Sequence, residues 1–459
     1  ESEAAYFGGY SPEKQAGMVH FGDPHIVRGK KLWTWGAQEA GRIWEKILTD
    51  GDIAYYEPQA GAYSDNQPDY HWIQPGETKV YSHFWFPVRD IGVWDFANLE
   101  GALNLELDGR KVKFGWSPTG TNKGATVVVT YAGEELYRQS VDADPATPFL
   151  GEAKAPRKAD LYELSMTVLS ADGEPLLGYS HPRPTNPPIP DPEVAPDEPG
   201  EMKSIDELFI TGDYYDMFRS KSRARRYYDE ALRRDPGDVR TNTAIGLSKL
   251  KQGLYCQAVE HFDLALKRYP DMGKARYYKG MAHLRDGDLY LAEKHLNRAS
   301  YDLTYYAAAH FELAQLTAAQ GRYEWALDHI QRSINGNGDN VQAWAVKAHI
   351  LNRLERTDEA LVAADKAQEM DPLDLLSLCE KIYVSYSKDG NSYAVEQMVG
   401  ELLGITRLDN ENHLELAIRF ARLGDYRSAV LTLKAMKDSE EKVSPMVYYY
   451  QAYYSSILK

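Results

Sequence analysis

Cysteine is scarce in this chain, which has only Cys256 and Cys379 among its 459 residues. Two distant cysteines provide neither a disulfide framework nor the paired spacing of a zinc site. Long apolar runs are also missing, since no stretch reaches the roughly 18 residues that a membrane-spanning helix needs. The sequence therefore predicts no metal site, no cofactor and no membrane span.

Positive charge is in short supply as well. Lys and Arg number 52 against 68 Asp and Glu, which gives a formal net charge of −16 and a pI near 5.3. One short basic block lies at residues 219–226, so nucleic acid is not an expected partner. Aromatic rings are plentiful, with 33 Tyr and 9 Trp. Flat rings with a polar edge suit sugar faces, but they also suit cores and protein interfaces.

A chain of this length is too long for one core, and its second half contains a repeat. In residues 201–459, alanines recur with a period of 34 residues, and the last interval has one extra residue. Glycines recur five positions before several of these alanines. The alanines are Ala224, Ala258, Ala292, Ala326, Ala360, Ala394 and Ala429, and the glycines are Gly253, Gly287, Gly321 and Gly424.

The period and its small residues resemble the tetratricopeptide repeat (TPR). Small side chains let paired helices approach closely, glycine ends the first helix of a pair, and proline ends the second. We therefore predict a TPR superhelix over residues 201–459. The resemblance implies a concave face that binds peptides or other domains, and it implies homo-oligomerisation through the repeats. Tyrosines 305, 306 and 448–450 are interpreted as core between repeats, with a ligand groove as the alternative.

Before the repeats, composition marks two further segments. Residues 182–200 are rich in proline and predict an extended linker. Residues 98–181 read as short alternating strands with turns between them, including a hairpin signal at Asp108-Gly109. This pattern favours an immunoglobulin-like β-sandwich with a structural role.

Residues 1–97 are different, because they combine histidines, tryptophans and a lone acid within short strands. The stretch Tyr55–Trp72 holds the step Glu57-Pro58-Gln59 and then a turn that begins at Asp65. A Pro-Gly-Glu corner that ends at Glu77 follows. This succession resembles the C-terminal part of the galactose mutarotase-like β-supersandwich. The resemblance implies that Glu57 is a catalytic base and that residues 1–97 form only part of that fold.

A wider resemblance extends over nearly the whole chain. The stretches "GMVHFGDPHIVRGKKLWTWG" and "LTDGDIAYYEPQAGAYSDNQPD", together with the repeats, resemble a placeholder-named family of bacterial proteins that join a mutarotase-like sandwich to TPRs. This resemblance implies a carbohydrate-active protein. A supersandwich needs about 250 residues, so we expect the N-terminal half to come from a separate chain or a cleaved fragment. The action on complex glycans that this resemblance implies also suggests export from the bacterial cytoplasm, to the periplasm or outside the cell, without fixing a compartment.

The candidate chemistry is glycoside hydrolysis, which needs a pair of carboxyl groups. Glu57 is the first candidate, and its partner is Glu77, Asp65, Asp69 or a residue of the missing half. The further substrate-binding candidates are either hydrogen-bonding residues or rings that stack on sugars. They are Gln59, His20, His25, Trp33, Trp35 and Trp72, together with Asp65. For His20 and His25 the alternative is a structural role. For each tryptophan the alternative is packing in the core.

Three hypotheses of function follow. The first is a glycoside hydrolase that acts on a complex glycan, with Glu57 as the catalytic carboxylate and the TPR array serving assembly or extension of the site. The second is a non-catalytic TPR scaffold with a sugar- or peptide-binding sandwich. The third is an aldose epimerase-like activity, in which a Glu and a His move the proton of an anomeric hydroxyl.

Overall fold

In a computed structural model, the chain forms two compact units. Unit 1 comprises Glu1–His71 and Val80–Ala195, and unit 2 comprises Trp72–Lys79 and Pro196–Lys459. The described residues are 4–51, 54–62, 73–185, 188, 192, 194–217, 220–389, 402, 404–407, 409–434 and 443–458. In this part of the chain no helix is long and apolar enough to cross a membrane.

The first part of unit 1 contains a three-stranded sheet, a separate two-stranded sheet and one helix. The antiparallel sheet has the order β1-β2-β5, and β3 pairs with β4. The strands are β1 (Tyr6–Ser11), β2 (Ala16–Gly22), β3 (Lys31–Thr34), β4 (Tyr56–Gln59) and β5 (His83–Arg89), and α1 is Glu39–Leu48. One face of the sheet packs Val19, Phe86 and Val88 against Trp94.

The remainder of unit 1 is a β-sandwich of two four-stranded antiparallel sheets. Their orders are β10-β9-β12-β13 and β11-β8-β7-β6. The strands are β6 (Phe96–Asn98), β7 (Gly101–Asp108), β8 (Lys111–Pro118), β9 (Asn122–Tyr131), β10 (Glu134–Ala143), β11 (Phe149–Lys154), β12 (Leu164–Leu169) and β13 (Pro175–Ser180). Asp108 and Lys111 are the last pair of the β7–β8 hairpin, so the loop is Gly109-Arg110, one residue later than the sequence predicts.

Alternation along these strands builds the sandwich core. On β8 the inward side chains Val112, Phe114 and Trp116 are buried, whereas Lys111 and Lys113 are exposed. Residues with this period of two face the core on every second position of a strand. β-Sheets in the first part of the chain followed by helical repeats are therefore what the sequence predicts and what the structure contains.

Unit 2 is an array of antiparallel helix pairs. The described helices are α2 (Ile205–Met217), α3 (Lys221–Arg234), α4 (Val239–Lys251), α5 (Tyr255–Arg268), α6 (Gly273–Asp286), α7 (Leu289–Ala299), α8 (Leu303–Ala319), α9 (Tyr323–Gly336), α10 (Val341–Arg353), α11 (Thr357–Met370), α12 (Leu375–Asp389), α13 (Asn410–Arg422), α14 (Tyr426–Lys434) and α15 (Pro445–Ile457). From α4 to α11, each pair repeats after 34 residues, as the alanine series predicts.

The repeat positions have the roles that their residue types suggest. The alanines of the series that fall on described residues are all at most 2% exposed. Gly253, Gly287, Gly321 and Gly424 have φ between +72° and +92° after the first helix of their pairs. Glycine adopts this left-handed conformation without the steric cost that other residues bear. Ala394 lies outside the described residues.

The last part of the array packs back on earlier repeats. One core joins Ala314 of α8, Ile350 of α10, Phe420 of α13 and Tyr454 of α15. Behind α13, a Cβ added at Gly424 would lie 2.8 Å from the Cα of Ala319. α13 therefore covers part of the surface of the helices that precede it.

The interpretation of the tyrosines as core is right for some of them and wrong for others. Tyr305 is buried, and Tyr450 packs against the core at the end of the array. Tyr448 and Tyr449 are 49% and 62% exposed. The two exposed rings lie on the outer face of α15, where no described helix follows to cover them.

Candidate functional sites

The two-stranded sheet β3–β4 places Glu57 among aromatic rings. Glu57 pairs with Trp33 across this sheet, so the two side chains lie on the same face. Tyr55 Oη donates to Glu57 Oε1 at 2.8 Å, and Gln59 Nε2 donates to Glu57 Oε2 at 3.2 Å. Trp35 adds a ring whose centroid lies 5.3 Å from that of Tyr55. Both carboxylate oxygens are thus held by neutral donors beside three rings.

Tyr55 was not among the residues that the sequence singled out, although its position gives a signal. Tyr55, Glu57 and Gln59 follow one another at intervals of two, so they share one face of an extended chain. The hydrogen bond to Glu57 raises the pKa of the Tyr55 hydroxyl. Tyr55 therefore remains a donor to the carboxylate at neutral pH.

His20 lies on the three-stranded sheet and not on the two-stranded sheet β3–β4. It is fully buried, and its Nε2 lies 3.2 Å from Nδ1 of His83, a partner that the sequence did not identify. The ring of Trp85 lies 4.9 Å from that of His20 between centroids. Burial, followed by the nearby His83 and Lys30, lowers the pKa of His20 to about 4. His20 is therefore neutral at physiological pH.

The other predicted site residues are dispersed. His25 is exposed, and its backbone N–H donates to Asp23 Oδ1 at 2.9 Å. Glu77 belongs to unit 2, whereas Glu57 belongs to unit 1. Asp65, Asp69 and Trp72 lie outside the described residues. Within the described part of the chain, no group of three or more His, Cys, Asp or Glu side chains could hold a metal ion.

A second candidate site lies in unit 2, around the predicted Pro-Gly-Glu corner. Residues Gln74, Pro75, Gly76 and Glu77 form a turn in which Glu77 N–H donates to Gln74 O at 3.0 Å. Gly76 has φ +69°. Proline at the second position and a glycine with positive φ at the third define a type II turn. The Glu77 carboxylate accepts from Gln74 N–H at 2.8 Å and closes the turn from the other side.

This turn is docked on the helical array. Asn337, at the end of α9, donates through Nδ2 to Gly76 O at 2.5 Å and to Thr78 Oγ1 at 2.9 Å. An added Cβ on Gly76 would lie only 3.0 Å from Ala308 N on α8. The contact is thus close at the backbone and is fixed by one amide side chain. No local feature of the sequence indicates that Asn337 has this role.

A groove of about 340 Å³ lies beside the docked turn. Its walls combine a phenol, a hydroxyl, two amides, two acids and a guanidinium with a smaller apolar area. The lining residues are Pro75, Gly76, Glu77, Thr78, Tyr277, Ala308, Phe311, Glu312, Asn340, Gln342 and Arg422. Burial raises the pKa of Glu312, and the charges of Arg422 and Arg285 oppose that shift. The groove is mostly polar and contains both hydrogen-bond donors and hydrogen-bond acceptors.

Histidines in the array also repeat with the period of the helix pairs. His261, His295 and His329 lie 34 residues apart on α5, α7 and α9. Each bonds the first helix of its own pair. The three contacts are His261 Nδ1 with Asn242 Oδ1 at 3.0 Å, His295 Nδ1 with Arg276 Nη1 at 3.1 Å, and His329 Nδ1 with His310 Nδ1 at 3.0 Å. We name these three contacts the histidine series.

The histidine series is built for neutral imidazoles. Burial lowers the pKa of His295 to about 3 and that of His310 to about 4. Burial also lowers the pKa of His261 and His329. In the His310–His329 contact the two Nδ1 atoms face each other, and two protonated Nδ1 atoms could not form a hydrogen bond. One ring must therefore donate through Nδ1–H while Nδ1 of the other ring accepts.

Comparison with known families matches four segments. Residues 1–88 match a family described as a domain of unknown function, DUF5107, and residues 96–179 match the second domain of YphG-like proteins. Residues 243–304 and 341–372 match tetratricopeptide repeat families. The C-terminal region therefore contains TPRs, as the sequence predicts.

Solved TPR proteins are similar to part of the chain. MamA is 23% identical and has a TM-score of 0.34, with 37% of this chain and 92% of that chain covered. YrrB, described as a TPR protein with an unusual peptide-binding site, is 21% identical at a TM-score of 0.35, covering 39% and 92%. A TPR protein from Parabacteroides merdae is 13% identical at 0.41, covering 55% and 98%. Likenesses of this size carry no argument about function.

Proposed function

We propose that this protein is a non-catalytic scaffold whose TPR array binds a polypeptide segment from a partner. The observation that carries the proposal is the turn at Gln74–Thr78, which is docked on α8 and on Asn337. We call the part of the array that contacts the turn, Ala308 on α8 together with Asn337, the docking surface. The docking surface already holds a polypeptide segment, and it contacts the backbone of that segment. TPR arrays in general present such surfaces to peptides and domains.

The contacts fit recognition of a peptide. Asn337 donates to a backbone carbonyl and to a hydroxyl, and its Oδ1 accepts from Asp339 N–H at 3.2 Å, which orients the amide. A carbonyl is present in any polypeptide, whereas a threonine hydroxyl is a specific feature. The amide therefore supplies affinity for the backbone together with some selectivity.

The test uses a fluorescent peptide with the sequence of residues 73–80, IQPGETKV, and fluorescence anisotropy as the readout. The receptor is full-length Gly76→Val protein, because valine at positive φ is strongly disfavoured and its side chain would abut Ala308. We expect this substitution to release the protein's own turn, and we expect the labelled peptide to bind saturably.

Asn337→Asp is the informative second substitution in this receptor. It keeps the acceptor oxygen for Asp339 and removes both donors, so we expect affinity to fall by about tenfold to a hundredfold. Asn335→Asp is the matched control, because Asn335 is exposed on the same helix and receives the same new charge. Its contact, an acceptor for Gln331, survives the substitution. Absence of peptide binding, or equal loss in both variants, would count against peptide binding at the docking surface.

A carbohydrate-directed activity of unit 1 is a second proposal. It is favoured by the Glu57 carboxylate, which is held by Tyr55 and Gln59 on the face that carries Trp33. Rings beside an oriented carboxylate suit a sugar and a proton transfer at its anomeric centre. Hydrolysis of a glycan or epimerisation of an aldose would each use Glu57 in this way.

For this proposal we expect Glu57→Gln to reduce turnover across a glycan panel by about 10³-fold or more with the fold unchanged. Glu39→Gln, a substitution of an exposed acid on α1, is the control and should retain full turnover. Wild-type protein that binds glycans of the panel without turning any of them over would leave unit 1 as a binding module.

A further inference from the structure

The docked segment is a turn of defined type, so the partner can be described more narrowly than as a polypeptide. Gln74 O and Glu77 N–H close the turn at 3.0 Å, Pro75 fixes φ at its second position, and Gly76 supplies the positive φ at its third. The Glu77 carboxylate adds a hydrogen bond to Gln74 N–H. The segment is thus preorganised and loses little conformational freedom when it docks.

The array surface complements this turn at two points. Gly76 lies so close to α8 that a Cβ would stand 3.0 Å from Ala308 N, 3.1 Å from its Cα and 3.1 Å from its Cβ. On the other side, Asn337 reaches both the carbonyl of Gly76 and the hydroxyl of Thr78. An ordinary extended peptide with a side chain at the third turn position would not fit without a shift of backbone atoms.

We propose that the docking surface of Ala308 and Asn337 is a receptor for a type II Pro-Gly turn followed by an acid and a threonine, and that residues 74–78 are its resident ligand, which a partner with the same kind of turn must displace. This inference rests on the proposed function, since it names the partner of the same docking surface. The partner is a polypeptide, and its defining element is a Pro-Gly turn closed by the acidic side chain.

A partner must displace the resident segment because that segment is part of the same chain as the receptor. A resident segment joined to the receptor acts at an effective concentration on the order of 1 mM when its linkers can span the distance. A free peptide with the same contacts therefore binds wild-type protein more weakly than it binds protein whose own turn is released. We expect a weakening of about tenfold or more.

The experiment compares four labelled peptides on Gly76→Val protein and then the parent peptide on wild-type protein. The peptides carry Gly, L-Ala or D-Ala at the position of Gly76, or Ala at the position of Glu77. L-Ala combines strained positive φ with a methyl group against Ala308, whereas D-Ala favours the turn and places its methyl on the other side of Cα. We expect Gly and D-Ala peptides to bind within about threefold of each other. L-Ala should bind at least about tenfold more weakly, and the Glu77 replacement should fall between these values.

Two results would overturn the inference and leave the proposed function intact. One is equal binding of the Gly, L-Ala and D-Ala peptides, which would show a docking surface that does not select for a turn. The other is equal affinity of the parent peptide for wild-type and Gly76→Val protein, which would show that residues 74–78 do not occupy the docking surface. Absence of binding to both proteins would instead contradict the proposed function itself. Circular dichroism of each variant confirms that the array is folded.

Discussion

The sandwich of unit 1 and the helical array of unit 2 bury polar groups to very different extents. The sandwich core consists of large apolar side chains such as Trp116, Phe114 and Met166, all at most 2% exposed. The array buries alanines together with paired polar groups, among them the His310–His329 contact and a His349–Glu380 contact at 2.7 Å. A strand turns every second side chain to water, whereas a helix between two neighbours on a solenoid is covered on several sides.

This difference indicates that the two units should fail in different ways. Large apolar side chains give the sandwich a stability that depends mainly on packed volume. Small residues and neutral imidazoles give the array a stability that depends on close helix contacts and on protonation. Three predictions test this contrast, beginning with the largest expected effect.

Trp116→Ala should destabilise the sandwich by about 3 to 5 kcal/mol, because it removes a completely buried ring and leaves a cavity. Hydrogen exchange of peptides from residues 101–143 measures the effect in unit 1 separately from the array. Trp325→Ala is the matched control in the array, since Trp325 is 65% exposed. We expect it to change stability by less than about 0.5 kcal/mol. Comparable effects of the two substitutions would contradict the assignment of the core.

Gly246→Ala should destabilise the array by about 1 to 2 kcal/mol. The new Cβ on α4 would lie 2.6 Å from the ring of Phe262 on α5, and the overpacking outweighs the roughly 1 kcal/mol that alanine gains in a helix. Urea denaturation followed at the helical circular dichroism band measures the change. Combining it with Phe262→Leu should cost less than the sum of the two single substitutions. Simple additivity would show that the ring and the glycine are not in conflict.

Acidification should weaken the array before the sandwich. Burial lowers the folded pKa of His310 from 6.5 to about 4, so the unfolded chain binds more protons between these values. The stabilising contribution is present above about pH 6.5 and is lost as pH falls toward 4. Each such histidine adds at most about 1.4 kcal/mol per pH unit to the slope.

The variant that tests this is His310→Gln combined with His329→Gln, which keeps hydrogen-bonding groups and removes both titrating rings. We expect a shallower loss of array stability from pH 6.5 to pH 4, measured by urea denaturation at each pH. Arg332 lowers the pKa of both histidines and Asp328 raises it, so both charged residues are kept. A slope identical to that of the wild type would rule out the pair as a source of acid sensitivity.

The sequence determined by itself whatever depends on local periodicity. The 34-residue spacing of Ala224 and its successors specified the helix pairs, and the glycines after each first helix specified its end, because small volume and positive φ are needed at those points in every repeat. Alternation around Phe114 likewise specified the inward face of a strand. The shared face of Glu57 and Gln59 was equally readable, since it follows from a period of two.

Tertiary structure alone decided which distant residues meet. Asn337 binds Gly76 across 261 residues of sequence, α13 packs against α8, and His310 faces His329 within its pair. No period encodes the first two contacts, because they depend on the shapes of surfaces that exist only after the repeats have stacked. The exposure of Tyr448 and Tyr449 also depends on tertiary structure. A ring on the outer face of α15 becomes part of a core only if another layer covers that face, and the local sequence of α15 does not specify such a layer.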